Sequence, residues 1–133
     1  MAYIVLITGS RYWSYQDADL IYQRLDQEDA IDVLVSGMAP GVDLICYDWS
    51  TLRGVHCDKY PADWDNPAYR TKTGKSFAGN ARNQQMLDDT LKKYGKYPDK
   101  CIAFHEDFEN SRGTKDMVRR ARKVGVPIEF YTE

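Results

Sequence analysis

Residues 3–11 read YIVLITGSR, and this stretch decides the fold class of the chain. The apolar residues run continuously from Tyr3 to Ile7 instead of alternating with polar ones, which is typical of a strand buried on both faces of a sheet. We therefore predict a strand over Tyr3–Thr8 that ends in a polar Gly-Ser-Arg turn. Ser14-x-x-Asp17 matches a helix-capping pattern, so the chain begins with a predicted strand, turn and helix.

The same unit repeats along the remaining sequence. Short apolar runs predict four further strands, at Asp32–Ser36, Val55–Tyr60, Lys100–His105 and Ile128–Tyr131. Between them, apolar residues recur at helical spacing in four groups: Ala18, Ile21, Tyr22 and Leu25; Val42, Ile45, Cys46 and Trp49; Leu87, Leu91 and Tyr94; Met117, Val118, Ala121 and Val124. Alternating strands and helices imply right-handed crossovers and a parallel sheet covered on both faces.

We therefore predict a single Rossmann-like domain over residues 1–133. It should be a three-layer α/β/α fold with a five-stranded, mainly parallel sheet. One segment, residues 61–76, breaks the rhythm with Pro61, Pro67 and Gly74. A connection of this length within a compact domain is usually functional or mobile.

Composition and charge exclude several classes of protein. Hydrophobic residues make up 43% of the 133 residues, which is ordinary for a globular chain. No apolar run approaches a membrane span, and the three cysteines form no disulfide set, so we expect a cytoplasmic protein without membrane contact. His56 and His105 share no metal-ligand spacing, and neither a metal nor another cofactor is predicted. The net charge of −2 gives no general case for nucleic-acid binding.

Three polar, glycine-bearing loops follow predicted strands. They are Gly9-Ser10-Arg11, Gly37-Met38-Ala39-Pro40-Gly41 and Ser111-Arg112-Gly113-Thr114. In an open parallel sheet, ligands bind where loops leave the carboxyl ends of the strands. A helix start there offers unpaired N–H groups, for which phosphate is the natural guest. The spacing matches neither the dinucleotide GxGxxG pattern nor the GxxxxGK[ST] P-loop.

These loops also carry a family resemblance. Gly9-Ser10-Arg11-Tyr12-Trp13 and residues 36–43, SGMAPGVD, resemble the GSRxW and GGAxGxD motifs of the YspA-like family of the SLOG superfamily. Residues 62–64, 78–86 and 112–117 resemble its ADW, AGxxRNxxM and GTxxM segments. The motifs follow in order along almost the whole chain. Met38 is a departure, because the family usually has glycine there.

The resemblance implies a Rossmannoid domain that binds nucleotides or their derivatives, in bacteria or their phages. The superfamily also contains the LOG phosphoribohydrolases and the DNA-processing protein DprA. It makes three functions possible: a module that senses, sequesters or processes a nucleotide-like small molecule; a LOG-type phosphoribohydrolase or N-glycosidase; and a DprA-like binder of single-stranded nucleic acid. We rank them in that order and expect a homo-oligomer.

Individual residues are assigned roles on the same grounds. Arg11 can fork onto a phosphate, Asp43 can cap its helix or accept from a ribose hydroxyl, and Trp13 and Trp64 can stack on a base. Arg82 and Asn83 can close over the ligand from the side. The predicted ligand-binding set is Gly9, Ser10, Arg11, Trp13, Ser36, Gly37, Gly41, Asp43, Trp64, Arg82, Asn83, Arg112, Gly113 and Thr114.

The candidate catalytic residues are Asp116 and Arg82. LOG-type enzymes use an Arg and a Glu to help break an N-glycosidic bond, and Asp116 lies near the position of that acid. A carboxylate there could stabilise the positive charge that develops on the ribose. The alternative is that Asp116 only complements the dipole of its helix. The basic run around it is predicted to be a solvated helix face, with a nucleic-acid surface as the alternative.

Overall fold

The computed structural model describes residues 2–132, and its centre is a sheet of five parallel strands. The strands are β1 (Ile4–Gly9), β2 (Val33–Ser36), β3 (His56–Lys59), β4 (Lys100–Phe104) and β5 (Ile128–Tyr131). Their order across the sheet is β3-β2-β1-β4-β5, and every neighbouring pair is parallel. The prediction of a five-stranded parallel sheet is confirmed.

Two layers of helices cover the sheet. The helices are α1 (Ala18–Asp26), α2 (Val42–Arg53), α3 (Ala78–Tyr94) and α4 (Gly113–Lys123). Residues of α1 and α2, such as Ile21 and Trp49, pack in one apolar cluster on one face of the sheet. Residues of α3 and α4, such as Leu87 and Met117, belong to a second cluster on the other face. The predicted three-layer α/β/α architecture is confirmed.

The position of β1 determines where a site can form. It lies in the middle of the sheet, with β2 on one side and β4 on the other. The chain continues from β1 towards β2 and β3 and later returns to β4, so the winding direction changes between β1 and β4. A crevice forms at such a switch point, outside the carboxyl ends of the two strands.

The element boundaries agree with the sequence to within a residue or two, with two local differences. The Ser14–Asp17 capping box starts a short 3₁₀ turn, Tyr15–Asp17, which leads directly into α1. Leu91 shares the predicted apolar face of α3 with Leu87 and Tyr94 but is exposed. Asn83 and Thr90 are buried on this helix instead, because polar groups with hydrogen-bond partners can occupy inward positions.

The irregular segment before α3 is held by its own hydrogen bonds. It contains a 3₁₀ turn, Pro67–Tyr69, and an antiparallel bridge between Arg70 and Ser76. The Arg70 guanidinium donates to the carbonyl oxygens of Gly74 (3.0 Å) and Trp64 (3.2 Å). The long connection therefore has a defined shape. Over residues 2–132, no helix has the length and apolar character needed to cross a membrane.

Candidate functional site

A cavity of about 510 Å³ lies at the carboxyl edge of the sheet. Its walls come from the segment after β1, the loop between β2 and α2, the first half of α3, the segment after β4 and the start of α4. Residues near positions 10, 40 and 113 therefore meet at one edge, as the three glycine loops led us to expect. Most of the predicted ligand-binding residues line this cavity: Gly9, Ser10, Arg11, Gly37, Asp43, Arg82, Asn83, Arg112, Gly113 and Thr114.

The loop after β1 is fixed by a carboxylate from the segment after β4. Ser10 Oγ donates to Glu106 Oε1 (2.9 Å) and accepts from the backbone N–H of Tyr12 (3.1 Å). Trp13 Nε1 donates to Glu106 Oε2 (2.9 Å). The Ser10 hydroxyl thus already has partners within the protein. Arg11, between these two anchored residues, is exposed at the cavity wall.

Trp13 does not offer a stacking surface. Its side chain is only 5% exposed and packs edge-on against Phe104, at a centroid distance of 6.0 Å. The prediction that this ring stacks on a base needs correction, because both the ring and its N–H group are used to attach the loop to the core. Trp64 is half-exposed, but it packs over Gly79 and does not line the cavity.

The loop between β2 and α2 is closed by side chains at its two ends. Ser36 Oγ donates to the backbone oxygen of Asp43 (3.1 Å) and accepts from Met38 N–H (3.2 Å). Asp43 Oδ2 accepts from Ala39 N–H (3.2 Å). Ser36 is therefore a structural residue of the loop, fully buried beneath the cavity.

Protein atoms occupy the space beside the glycines of this loop. A Cβ on Gly37 would lie 2.7 Å from Arg82 Nη1 and 3.0 Å from Asp43 Oδ2. Gly41 has φ = 86°, and a Cβ there would lie 2.4 Å from the backbone oxygen of Ser10. Gly41 needs glycine for its backbone conformation and packing, whereas a Cβ at Gly37 would require the end of the Arg82 side chain to move. The predicted approach of a ligand is therefore not required to explain why glycine occurs at these two positions.

Met38 adopts a backbone conformation that favours glycine. Its φ is 59°, and among the described residues it is the sole residue other than glycine with a positive φ. A left-handed conformation costs an L-residue roughly 1 kcal/mol. This explains why glycine suits the second position of the motif, and the departure at Met38 leaves strain in the loop.

Asp43 is a buried carboxyl group with an unmet hydrogen-bonding capacity. It is 7% exposed, and its Oδ1 has no hydrogen-bond partner within residues 2–132. Burial raises its pKa to about 6, although the positive charge of Arg82 and the hydrogen bond from Ala39 act in the opposite direction. A carboxyl group with such a pKa in a cleft is typical of functional sites.

Arg82 and Asn83 connect α3 to the two loops. Arg82 Nη1 donates to the backbone oxygens of Gly37 (2.5 Å) and Tyr60 (3.4 Å), and its Nε donates to Asn83 Oδ1 (3.0 Å). Asn83 Nδ2 in turn donates to the backbone oxygen of Gly113 (3.3 Å). Both side chains line the cavity as predicted, but most of their hydrogen-bonding capacity already holds the cavity walls together.

The start of α4 leaves backbone donors free. The first hydrogen bond of this helix runs from Asp116 N–H to the backbone oxygen of Arg112 (3.0 Å), so the N–H groups of Gly113 and Thr114 precede the intrahelical ladder. Apart from its two chain neighbours and the backbone of its own helix, no atom of the described chain lies within 4 Å of a Cβ placed on Gly113. This glycine, unlike those near α2, faces open space beside unpaired donors, at the positive end of a helix dipole.

Asp116 does not line the cavity, contrary to its predicted catalytic role. Its Oδ1 accepts from Arg119 (2.7 Å) and Asn80 (3.3 Å), and its Oδ2 accepts from Arg120 (2.8 Å) and Asn83 (3.0 Å). Although burial raises the pKa of Asp116, the hydrogen bonds from Arg120, Asn83 and Arg119 outweigh it and lower the pKa below its usual range. The carboxylate links α3 to α4.

The cavity residues outside the predicted set include three polar residues in a row, His105, Glu106 and Asp107. They follow β4 directly, so the rule that ligands bind at carboxyl strand ends applied to them as well. Glycine-bearing loops indicated the site in the sequence, and this segment has no glycine before Gly113. Burial raises the pKa of Glu106, but hydrogen bonds from its own backbone, Ser10 and Trp13 reverse the shift and keep it ionised.

A second depression, the outer groove, adjoins the cavity on the exposed side of α4. It shares Ser111 and Arg112 with the cavity. Four basic side chains line it, at helical spacing: Arg112, Lys115, Arg119 and Arg122. Some of this charge is compensated, because Arg119 pairs with Asp116 and Lys115 lies 3.5 Å from Glu109.

Fold and cavity together define a Rossmann-type domain with a ligand-sized site at its switch point. Residues 3–66 match the family model described as YAcAr, the YspA, cpYpsA-related SLOG family. The resemblance to the YspA-like SLOG family is thereby confirmed, and the matched residues include the GSR, SGMAPGVD and ADW segments.

Comparison with solved structures gives a distant match. The X-ray structure of DNA processing protein A (DprA) from Streptococcus pneumoniae is similar, with a TM-score of 0.49 and 17% sequence identity. The alignment covers 96% of this chain and 58% of that chain, so this chain spans less than two thirds of the length of its neighbour. Among curated proteins, none matches this chain.

Proposed function

We propose that this protein binds a nucleotide or a nucleotide-derived small molecule in the cavity at the carboxyl edge of its sheet. The observation that carries the proposal is the convergence of the loops after β1 and β2 and the start of α4 on one cavity of about 510 Å³. Small-molecule sites typically measure about 300–1,000 Å³. The family match is consistent with a role connected to nucleotides or nucleic acids.

The start of α4 is the proposed position of the phosphate. Gly113 and Thr114 supply free N–H groups there, and the missing side chain of Gly113 leaves room for close approach. Arg112 at the helix start and Arg11 across the cavity supply guanidinium groups. Backbone N–H groups at a helix start combined with Arg forks are a common phosphate-binding arrangement.

A thermal-shift titration tests the proposal directly. Nucleoside monophosphates and ADP-ribose-type compounds should raise the melting temperature, since a ligand at 100 times its Kd stabilises the native state by about 2.7 kcal/mol. Mass spectrometry of small molecules released by heat from the purified protein would identify a co-purified ligand. A melting temperature that does not change across the whole panel would contradict the proposal.

A matched pair of arginine variants locates the site. Arg112→Ala should weaken binding of the stabilising ligand by about tenfold, the effect of losing one charged hydrogen bond to phosphate. Arg53→Ala is the control, because Arg53 pairs with Asp26 on the surface formed by α1 and α2. Equal affinity in Arg112→Ala and Arg53→Ala would place the ligand outside this cavity.

A protein that senses or sequesters its ligand leaves the bound molecule chemically unchanged, whereas one that processes it converts the molecule into a product. For a phosphoribohydrolase, the acid predicted from the sequence was Asp116, and its position outside the cavity speaks against that assignment. Binding of a small molecule therefore remains the leading proposal. A homo-oligomeric state remains a prediction, and size-exclusion chromatography with light scattering would measure it.

The outer groove supports a second candidate, binding of single-stranded nucleic acid. Its basic side chains follow one face of α4 and continue the cavity through Arg112. A strand bound along them should be released by salt, with a steep fall of affinity as ionic strength rises. A gel shift with short single-stranded oligonucleotides at low salt tests this, and absence of a complex would reject it.

A further inference from the structure

Asp43 is a hydrogen-bond acceptor for which the protein supplies only half of the donors. Oδ2 receives Ala39 N–H at 3.2 Å, whereas Oδ1 is buried without a partner in the described chain. Buried polar atoms in folded proteins nearly always have partners, so an exception calls for a specific explanation. Asp43 lines the cavity, and a bound ligand could therefore supply the missing donor.

The surroundings of Asp43 favour a neutral donor over a cationic one. Arg82 lies close enough to act on Asp43 electrostatically, and Arg11 acts on Arg82 in turn. The Arg82 guanidinium is directed to backbone oxygens of Gly37 and Tyr60 and forms no salt bridge with Asp43 within residues 2–132. A ligand ammonium group would meet these two guanidinium charges, whereas a hydroxyl group would not be repelled by them.

The two helix starts at the cavity therefore differ in the hydrogen-bonding groups that they leave without a partner. The start of α4 presents free N–H groups of Gly113 and Thr114, which require an acceptor. At the start of α2, Asp43 lines the cavity and its buried Oδ1 lacks a donor. A molecule that satisfies both must carry an acceptor group and a neutral donor group within the span of one cavity, and the phosphate and the sugar hydroxyls of a nucleotide meet both requirements.

We propose that Asp43 is the residue that makes the cavity specific for ribose, accepting a hydrogen bond from a ribose hydroxyl of a bound nucleotide. The inference rests on the proposed function, since it presupposes that a nucleotide enters the cavity. Asp43 then discriminates ribonucleotides from analogues that lack the hydroxyl, because those leave the buried Oδ1 unpaired. A site built to bond a hydroxyl group rejects the analogue without it far more strongly than an apolar pocket does.

The test compares nucleotides that differ only in the sugar. AMP, GMP, CMP and UMP are titrated into the whole protein by calorimetry, together with their 2′-deoxy and 2′,3′-dideoxy counterparts. Whichever nucleotide binds should bind at least about tenfold more tightly than its dideoxy form, corresponding to one hydrogen bond of about 1.4 kcal/mol. The ratio of the two affinities is the readout, because it cancels effects on phosphate binding.

Asp43→Asn is the decisive variant. The Asn carbonyl oxygen can keep the hydrogen bond from Ala39, which leaves an NH₂ donor where the free acceptor was. This NH₂ group can still donate to the hydroxyl oxygen, but such a neutral hydrogen bond is weaker than one to a carboxylate, so the affinity ratio should fall below about threefold. Asp48→Asn is the control, since Asp48 lies on the same helix and pairs with Tyr15 outside the cavity. This control should retain the full ratio.

Protonation provides a second measurement that needs no variant. A protonated Asp43 has lost its charge, and a neutral hydrogen bond to the hydroxyl is weaker than one to a carboxylate, so the ratio in the unmutated protein should shrink from about pH 7.5 to about pH 5. Arg82 is the charged group that acts on the pKa of Asp43, and the thiols of Cys46, Cys57 and Cys101 lie close enough for Asp43 to act on their pKa values. Burial raises the pKa of each of these thiols, so they stay neutral throughout this pH range.

The possible outcomes separate the two proposals. Nucleotides that bind equally well with and without the sugar hydroxyls overturn the role of Asp43 and leave the proposed function intact. The same holds for a ratio that Asp43→Asn and acidic pH leave unchanged, since another residue would then read the hydroxyl. If neither a nucleotide nor an ADP-ribose-type compound binds the unmutated protein at millimolar concentration, the proposed function fails and this inference fails with it.

Discussion

The starts of α2 and α4 lie on the same cavity but are built in opposite ways. At the start of α2, protein atoms fill the space around Gly41, and the buried acid Asp43 lacks a partner. At the start of α4, the space around Gly113 is open, and the buried acid Asp116 has a full set of partners. A glycine or a buried acid in a loop motif therefore does not by itself indicate contact with a ligand.

The two acids make the point most clearly. Asp43 is 7% exposed and Asp116 is 8% exposed, and each lies in the first turn of its helix. Their pKa values nevertheless shift in opposite directions, upward for Asp43 and downward for Asp116. Burial acts on both, and the number of hydrogen-bond donors around each carboxyl group decides the sign. A buried carboxylate with a full set of hydrogen-bond donors stabilises the fold, whereas one with an unpaired oxygen can accept a hydrogen bond from a ligand.

The largest effect should come from exchanging the two glycines for alanine. Gly41→Ala should destabilise the protein by about 3 kcal/mol or more, because a Cβ there meets the backbone and φ is positive. Gly113→Ala should leave stability unchanged or raise it by up to about 1 kcal/mol, since alanine is the better helix residue. Urea denaturation of both variants measures the difference.

The same pair also separates folding from binding. Gly113→Ala should weaken the binding of whichever nucleotide stabilises the unmutated protein, because the added methyl group occupies the space in front of the free N–H groups. A stable Gly113→Ala variant with unchanged affinity would show that the start of α4 does not hold the phosphate. A Gly41→Ala variant as stable as the unmutated protein would contradict the packing argument for α2.

Removal of the satisfied acid should have the next largest effect. Asp116→Ala leaves the buried amide of Asn83 and the Arg119 and Arg120 guanidinium groups without their acceptor, and we expect a loss of about 2 kcal/mol. Asp65→Ala, at an exposed position, serves as the control and should change stability by no more than about 0.5 kcal/mol. Equal denaturation midpoints for these two variants would refute the linking role of Asp116.

Neutralisation of Asp43, the unsatisfied acid, should stabilise the folded protein instead of destabilising it. Asp43 has a raised pKa of about 6 in the folded state, so the folded state binds its proton more readily than the unfolded state does. The folded state therefore loses stability as pH rises from about 4 to about 6, and the loss is complete above this window. Asp43→Asn should thus stabilise the protein by about 1–2 kcal/mol near pH 7.5 and by much less near pH 4.

Thermal melts of Asp43→Asn across this pH range provide the measurement. Asp48→Asn, on the same helix, should show no such pH-dependent gain. If Asp43→Asn destabilised the protein equally at both pH values, the carboxylate would have a structural partner, and the contrast between the two helix starts would not hold.

The smallest effect concerns the strain at the start of α2. Met38→Gly should stabilise the protein by about 0.5–1 kcal/mol, because glycine adopts φ = 59° without the penalty of a side chain. Met38→Ala is the matched control, since it removes the same long side chain but keeps a Cβ and therefore the strain. Denaturation midpoints that rise equally in both variants would show that the side chain, and not the backbone, is the source.

Much of the architecture followed from local sequence. The bounds of β5 were predicted to the residue, since this strand follows the break at Gly125 and Pro127. The glycine loops were correctly placed at one edge of the sheet, because parallel strands direct their carboxyl ends the same way. Leu91 was misplaced, because helical spacing cannot tell whether a polar neighbour such as Thr90 finds a buried partner.

The roles of individual site residues were less accessible from sequence. Trp13 and Asp116 have side chains suited to stacking and to catalysis. Within the protein, however, Trp13 already donates a hydrogen bond to Glu106. Asp116 already accepts hydrogen bonds from Arg119 and Arg120. Glu106 was missed because no glycine or motif marks it. Sequence spacing predicts which segments meet, but it does not count the donors and acceptors around a given atom.

The sequence by itself determined the order of strands and helices, the parallel sheet and the edge where its polar loops gather, because hydrophobic periodicity and chain connectivity are properties of local sequence. The tertiary structure alone decided that Asp43 has a free oxygen and that Asp116 has none. The physical reason is that hydrogen-bond satisfaction depends on atoms brought together from distant parts of the chain.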